Sequence, residues 1–534
     1  METGIRGDLE WPSIPALARS AAERFGERDA VVDGDVRLSF VRLADAATAA
    51  GRAFMAAGVE PGDRVAIWSP NIHEWVVALL GLQSAGGVLV PVNTRYKGAE
   101  TAYLLRASRA RALVAVNGFL GNDYLEMLEG HDLPDLQHRI VLRGDVPAGA
   151  TGWDDFLATG ASVPVPELDA RLASISGDDV ADIIFTSGTT GNPKGVVCTH
   201  AQTLRGFADW AAIVGLRADD RYLVINPFFH SFGYKAGIVA ALTVGATLIP
   251  QAVFDIPEAM ANVARHQITA LPGPPAIYQT FLNHPDLDRD ALSSLRLAVT
   301  GAAPVPVELL ARMERELGFE TVVTAYGLTE TCGIVSVCRP DDAPETISAS
   351  SGRAIPGVEV RIVDEAGAEV PRGEKGEIVV RGYNVMREYF EDAERTAATI
   401  DADGWLHTGD IGTMDPDGYI AITDRLKDMF IVGGFNAYPA EIENLLLAHP
   451  DIAQVSVVGV PDERMGEVGL AVVVPTAGTT PDPGEIVAWA REHMANYKAP
   501  RYVRVVDALP LNASNKVLKF QLRDEALAAL AEET

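Results

Sequence analysis

Short β-branched runs alternate with Ala/Leu-rich amphipathic stretches along the first half of the chain. AATAAGRAFMAAG precedes RVAIWS at 64–69, and HEWVVALLGLQSAG leads into VLVPVN at 88–93. This is the rhythm of βαβ units, and it predicts parallel sheets covered by helices. It returns at LIPQAV, ITALPG and LRLAVTG, then stops between about 350 and 425. There GVEVRIVD, GEIVVRG and GYIAITD are separated by Gly, Pro and Asp turns without long helices, which predicts a small antiparallel barrel or sheet. Beyond Arg425, AEIENLLLAH and GEIVAWAREHMANY read as helices, and QVSVVGV and GLAVVV as strands, so a compact α+β unit follows a boundary near 424–427. The longest uncharged run, AGIVAALTVGATLIPQAVF at 236–254, is interrupted by Gly245, Pro250 and Gln251. It reads as a helix, a turn and a buried strand rather than a membrane span.

Length and charge narrow the class. A chain of 534 residues is multi-domain, and 73 acidic against 44 basic side chains give a net charge of −29. That balance argues against a nucleic acid or an anionic membrane as partner. Cys198, Cys332 and Cys338 form no CxxC pair and are too few for a disulfide framework, so they read as small buried fillers in a reducing compartment. METGIRGDLEW lacks the basic and apolar regions of a signal peptide, and the expected location is cytoplasmic.

The strongest local signal is TSGTTGNPKG at 186–195, between the apolar runs ADIIF and VVCTH. Such a loop between strands can wrap phosphates. Gly188 and Gly191 allow close backbone approach, Thr186, Ser187, Thr189 and Thr190 offer hydroxyls, and Lys194 supplies a point charge. It is not a Walker loop, because two residues separate Gly191 from Lys194 and a strand follows. Three weaker stretches follow in order: YGLTE at 326–330, WLHTGD at 405–410, and DRLKD at 424–428 with GGFNAYPAEIE after it. Glu330 is a hard-oxygen donor suited to Mg²⁺, Asp410 can accept from two ribose hydroxyls, and Arg425 can meet ribose or phosphate. Taken singly, Asp410 and Arg425 read as turn and surface residues rather than as ligand contacts. LPLNASNK at 509–516 places Lys516 on a loop tip after an apolar strand.

Together these motifs resemble the adenylate-forming superfamily of acyl-CoA synthetases, nonribosomal adenylation domains and luciferases, over essentially the whole chain. The resemblance implies an α/β fold: a large N-terminal domain, 1–424, of two αβ-layered sheets plus a small β-barrel, and a smaller mobile α+β C-terminal domain, 428–534. It implies that 186–195 handles pyrophosphate, and that Tyr326 and Gly327 meet the adenine near Gly301, Ala302 and Ala303. Thr329 would contact the α-phosphate, Glu330 would hold Mg²⁺, and Asp410 and Arg425 the ribose. Lys516 would bridge the α-phosphate and the reacting carboxylate, Lys427 matches the hinge, and Gly433 and Gly434 match the loop lining the pantetheine tunnel. ATP, Mg²⁺ and coenzyme A are the implied cofactor and co-substrates. Three positions depart from the pattern: the usual LP(R/K)xxSGK carries Leu511 and Asn515, and Ile431 stands where some relatives have a second active-site lysine.

INPFFHSFGYKAG at 225–237 and LPGPPAIYQ at 271–279 supply an apolar acid pocket, with Phe229, His230, Phe232, Tyr234, Gly273, Pro274 and Tyr278 as its walls. No Asp or Glu lies between Phe228 and Ile238, which disfavours an amino-acid substrate. His230 reads either as a gate near the carboxylate or as a core histidine. Lys235 reads either as reaching a ketone or second acid of the substrate or as facing outward. These segments look similar to those of bacterial ligases that activate the bicyclic indanedione propanoate of steroid breakdown. Medium-chain fatty acids and arylalkanoic acids are the alternative substrates. A second copy of the chain is one expected partner, and an acyl carrier protein is the alternative acceptor.

Overall fold

The computed structural model describes residues 11–186, 193–301, 305, 307–364, 366–425, 430–437, 439–510, 517 and 519–532. The apolar runs pair as parallel strands because helices cover both of their faces. In one sheet Thr151–Gly152, His138–Arg143, Ala112–Phe119, Arg64–Trp68, Val88–Pro91, Val180–Thr186, Lys194–Thr199 and Glu388–Tyr389 lie side by side in that order. Pairing is parallel from Thr151–Gly152 across to Val180–Thr186 and antiparallel at the Glu388–Tyr389 edge. Val65, Ala66, Ile67 and Trp68 are fully buried in its middle. The helix His73–Ser84 against it is apolar on every side and buried from Trp75 onward.

The second sheet runs through Val36–Ser39, Asp29–Asp33, Thr247–Pro250 and Arg221–Val224. Ala270 bridges Tyr222 to Leu297, and the sheet continues through Leu297–Gly301, Thr321–Tyr326, Ser336–Val337 and Arg353–Ala354. The run ITALPG was expected as a full strand and contributes only that bridge. The N–H groups of Leu271 and Gly273 donate to Leu297 and Val299, but Pro272 and Pro274 have none to give. The segment 350–425 folds as expected into a four-stranded half-barrel sheet of Val358–Val363, Gly376–Gly382, Leu406–Met414 and Ile420–Arg425.

The chain divides into two units, one of 1–94, 104–184 and 195–423, the other of 95–103, 185–194 and 424–534. A single boundary near 424 therefore leaves out two earlier segments that group with the later unit. That unit has a sheet of Phe435–Ala437, Phe430–Val432, Gly466–Pro475 and Ile452–Asp462, with Tyr502–Val505 added in parallel. Gly433 and Gly434, at φ 56° and 86°, form the two-residue turn between the first two of these strands, a backbone shape that suits paired glycines. Lys498 is buried in the same unit, its Nζ 2.6 Å from Glu441 Oε1 and 2.8 Å from Glu100 Oε1. Among the described residues no helix is long and apolar enough to cross a membrane.

Gly301 closes its strand directly beside Ala325, and a Cβ there would lie 2.6 Å from the Ala325 carbonyl oxygen. Gly301→Ala must push two parallel strands apart at a cost of about 1–3 kcal/mol, which should lower the midpoint of thermal unfolding. An unchanged midpoint would show that the strands part freely.

Candidate active site

The site is built where the strand Thr321–Tyr326 ends. The Tyr326 hydroxyl donates to Asp410 Oδ2 at 2.8 Å, and both side chains are buried. YGLTE and WLHTGD, separated by 84 positions, therefore meet directly. Asp410 is fixed by its surroundings: its N–H donates to Thr408 Oγ1, the Thr408 hydroxyl donates to the Ile378 carbonyl, and Glu377 holds both the Gly409 N–H and His407 Nδ1. Gly301 pairs with Ala325 one position away, which brings the end of its strand beside Tyr326. Gly327 must be glycine, because a Cβ would lie 2.3 Å from the Gly333 carbonyl oxygen.

After Gly327 the chain makes the short 3₁₀ turn Thr329–Thr331. The Leu328 N–H donates to Thr331 Oγ1, and the Gly333 N–H returns to the Leu328 carbonyl. Thr329 and Glu330 are left partly exposed. The Glu330 carbonyl accepts the Met386 N–H, and Glu330 Oε1 accepts the Tyr389 hydroxyl at 2.9 Å. A partly exposed carboxylate oriented in this way fits Mg²⁺, which takes one or two protein carboxylates and completes its shell with phosphate and water.

The expected acid pocket divides in two. Phe229, Phe232 and Pro274 are partly exposed, and Gly273 is buried against Ile277 and Ile225. His230 is exposed, and its Nδ1 accepts the Phe232 N–H. Tyr234, Lys235 and Tyr278 are corrections to the expected walls, since all three are fully buried. The Tyr234 hydroxyl accepts from Gln83 Nε2 at 3.1 Å, and the Tyr278 hydroxyl donates to the Leu271 carbonyl at 2.7 Å. Lys235 neither reaches into a pocket nor faces outward. Its Nζ lies 3.1 Å from Asp182 Oδ1 and donates to Cys332 Sγ at 3.2 Å. Burial alone would lower its pKa, but Asp182 and the neighbouring cysteine sulfurs outweigh that effect and raise it.

Lys235 is carried by a π-helix, Phe232–Val239, that passes into the α-helix Ala240–Val244 and ends at Gly245. Asp182 sits in Val180–Thr186, four residues before the glycine-rich loop begins. Asp182 and Cys332 were missed as functional candidates, yet a signal was present. An aspartate inside ADIIF and a lysine inside an apolar run each need a buried partner.

Thr186 ends its strand and Lys194 begins the next, while Ser187, Gly188, Thr189, Thr190 and Gly191 lie outside the described residues. So do Ala302, Ala303, Lys427 and Lys516, and Arg425 is described only as the last residue of Ile420–Arg425. Gly433 sits in its turn against Met465, where a Cβ would lie 2.5 Å from Cε.

Comparison with known proteins agrees with this assembly. Residues 18–390 match the model of the AMP-binding enzyme family, and residues 441–516 match the AMP-binding enzyme C-terminal domain. A protein of Rhodococcus jostii named 3-[(3aS,4S,7aS)-7a-methyl-1,5-dioxo-octahydro-1H-inden-4-yl]propanoyl:CoA ligase is 52% identical over 96% of this chain and 98% of its own. A Mycobacterium tuberculosis protein of the same name is 50% identical over 96% and 98%. Among solved structures, the o-succinylbenzoate CoA synthetase of Bacillus subtilis, bound with its product analogue, has a TM-score of 0.79 at 29% identity, covering 96% of this chain and 98% of that one. On these matches and on the motifs the structure brings together, the chain belongs to the AMP-binding enzyme family and is an AMP-forming acid:CoA ligase.

Proposed function

We propose that this ligase activates a bicyclic, ketone-bearing propanoate of the steroid-derived kind named for its relatives, and passes the acyl group to coenzyme A. The observation that carries the adenylation site is the buried Tyr326–Asp410 hydrogen bond, which joins the turn bearing Thr329 and Glu330 to the half-barrel strand. The substrate class is supported by 52% identity over nearly the whole chain to a ligase named for that acid.

The chemistry sets what each group must do. A carboxylate is a poor acyl donor because its oxygen leaves badly. Its attack on the α-phosphate of ATP forms a new P–O bond, breaks the bond to the β-phosphate and releases pyrophosphate. The CoA sulfur then attacks the acyl carbon, the C–O bond to AMP breaks, and the thiol proton is lost to a base or to solvent. The first step brings an anion to a polyanion in a protein of net charge −29, so cations must be concentrated locally. Lys194 and Lys516 are the side chains suited to this. Mg²⁺, when bound, supplies charge neutralisation on the phosphates, and Glu330 is the residue suited to hold it. Asp410 and Arg425 orient the ribose, and Tyr326 packs on the adenine. His230 is the side chain suited to gate the acyl channel near the carboxylate. Between the steps Lys516 must withdraw, with the backbone change absorbed at Lys427 and the thiol admitted past Gly433 and Gly434.

Two measurements test this. In a CoA-ligation screen, kcat/KM should be highest for indanedione propanoates, below that for medium-chain fatty and arylalkanoic acids, and lower with a loaded carrier protein than with free CoA. A plain fatty acid or a carrier protein as the best substrate would overturn the assignment. Glu330→Gln removes the charge that holds the metal and should raise the Mg²⁺ requirement of ATP–pyrophosphate exchange by about 10-fold or more. An unchanged Mg²⁺ dependence would remove Glu330 from the metal site.

A further inference from the structure

Lys235 is an expensive residue to bury, and nothing in the reaction as derived above uses it. It is fully buried together with Asp182, and removing two charges from water is repaid only when each finds a well-placed partner. Its second contact is Cys332, the residue that ends the Thr329–Thr331 turn. Cys332 has φ 57° and ψ 14°, a left-handed conformation that a residue with a Cβ adopts only when its surroundings impose it. Three groups hold its sulfur: Lys235 Nζ at 3.2 Å from the π-helix, Thr203 Oγ1 at 3.4 Å from the helix His200–Val214, and the Cys198 thiol from the strand Lys194–Thr199. The Cys332 N–H in turn donates to the Thr329 carbonyl at 3.0 Å. One residue thus connects a buried ion pair, through its sulfur, to the backbone of the residue expected at the α-phosphate, through its N–H.

We infer that the Asp182–Lys235 pair, acting through the sulfur of Cys332, positions the Thr329–Glu330 turn for the adenylation step. Lys235 and Cys332 are positioning residues for this reaction and do not touch the substrate. The inference rests on the reading of Thr329 and Glu330 as the phosphate and metal contacts. It makes the acyl-pocket helix, the strand before the glycine-rich loop and the phosphate-contact turn share one buried anchor. It also explains the π-helix, whose wider turn delivers a lysine inward from a segment that is otherwise apolar.

The test uses substitutions at Cys332, because Lys235→Met alone leaves Asp182 buried without its partner and can fail to fold. Cys332→Gly relieves the left-handed backbone and removes the sulfur, whereas Cys332→Ser keeps a small polar acceptor for Lys235. A second route is the double substitution Asp182→Leu with Lys235→Met, which removes both charges. Wild-type ATP–pyrophosphate exchange is measured first, and its absence would overturn the functional reading rather than this inference. Cys332→Gly and the double variant should lose about 10–100-fold in the kcat of exchange, the usual cost of removing a group that orients a phosphate- or metal-contacting residue. Their KM for the acid should change little, and Cys332→Ser should retain most of the exchange rate. Amide hydrogen exchange across 328–334 should quicken in Cys332→Gly, a readout independent of turnover. Conversion of synthetic acyl-AMP to acyl-CoA should be much less affected than exchange. Wild-type exchange in Cys332→Gly, equal loss in Cys332→Ser, equal loss in both half-reactions, or unchanged amide exchange would each overturn the inference.

Discussion

Two opposite charges buried together restrict the active-site half of this protein more than any single apolar contact does. Lys235 and Asp182 are both at 0% exposure, and neither is tolerable without the other. An apolar contact can slide by an ångström at small cost, but a buried ion pair loses much of its energy when the partners separate. The π-helix Phe232–Val239, the strand Val180–Thr186 and the turn at Cys332 must therefore stand in one arrangement for the pair to form. Around that arrangement the other polar links close in: Tyr389 on Glu330, Tyr326 on Asp410, and Glu377 on the segment leading to Asp410.

Much of the fold was legible because the apolar runs are short, β-branched and separated by turn residues. RVAIWS, VLVPVN and LRLAVTG appear as Arg64–Trp68, Val88–Pro91 and Leu297–Gly301, and the change of rhythm near 350 marks the half-barrel. ITALPG misled because the ladder depends on N–H groups as well as on apolar side chains, and Pro272 within it and Pro274 just after it lack them. The π-helix was not legible. In a segment apolar on every side the burial pattern does not distinguish a period of 3.6 residues from a wider one.

The site was legible as chemistry before it was legible as geometry. YGLTE and WLHTGD carry suitable residue types, but nothing in their spacing says that Tyr326 and Asp410 touch. The resemblance to a known family implied only that one meets the adenine and the other the ribose, and the hydrogen bond joins them directly. The aromatic positions near the pocket misled for the opposite reason. Tyr234 and Tyr278 suit a core as well as a pocket wall, and their hydroxyls find partners inside the protein. Cys332 was read as a small filler, although its place directly after YGLTET puts it on the turn that carries the reactive contacts.

The account depends on a covalent intermediate that forms before CoA is needed. The most direct test is a single-turnover experiment with the indanedione propanoate, ATP and Mg²⁺ in the absence of CoA, quenched and analysed by mass spectrometry, followed by a chase with CoA. The account predicts that acyl-adenylate and pyrophosphate form in equal amounts, and that the adenylate is then converted to acyl-CoA and AMP. Release of ADP and phosphate, or acyl-CoA formation that never passes through an adenylate, would contradict it.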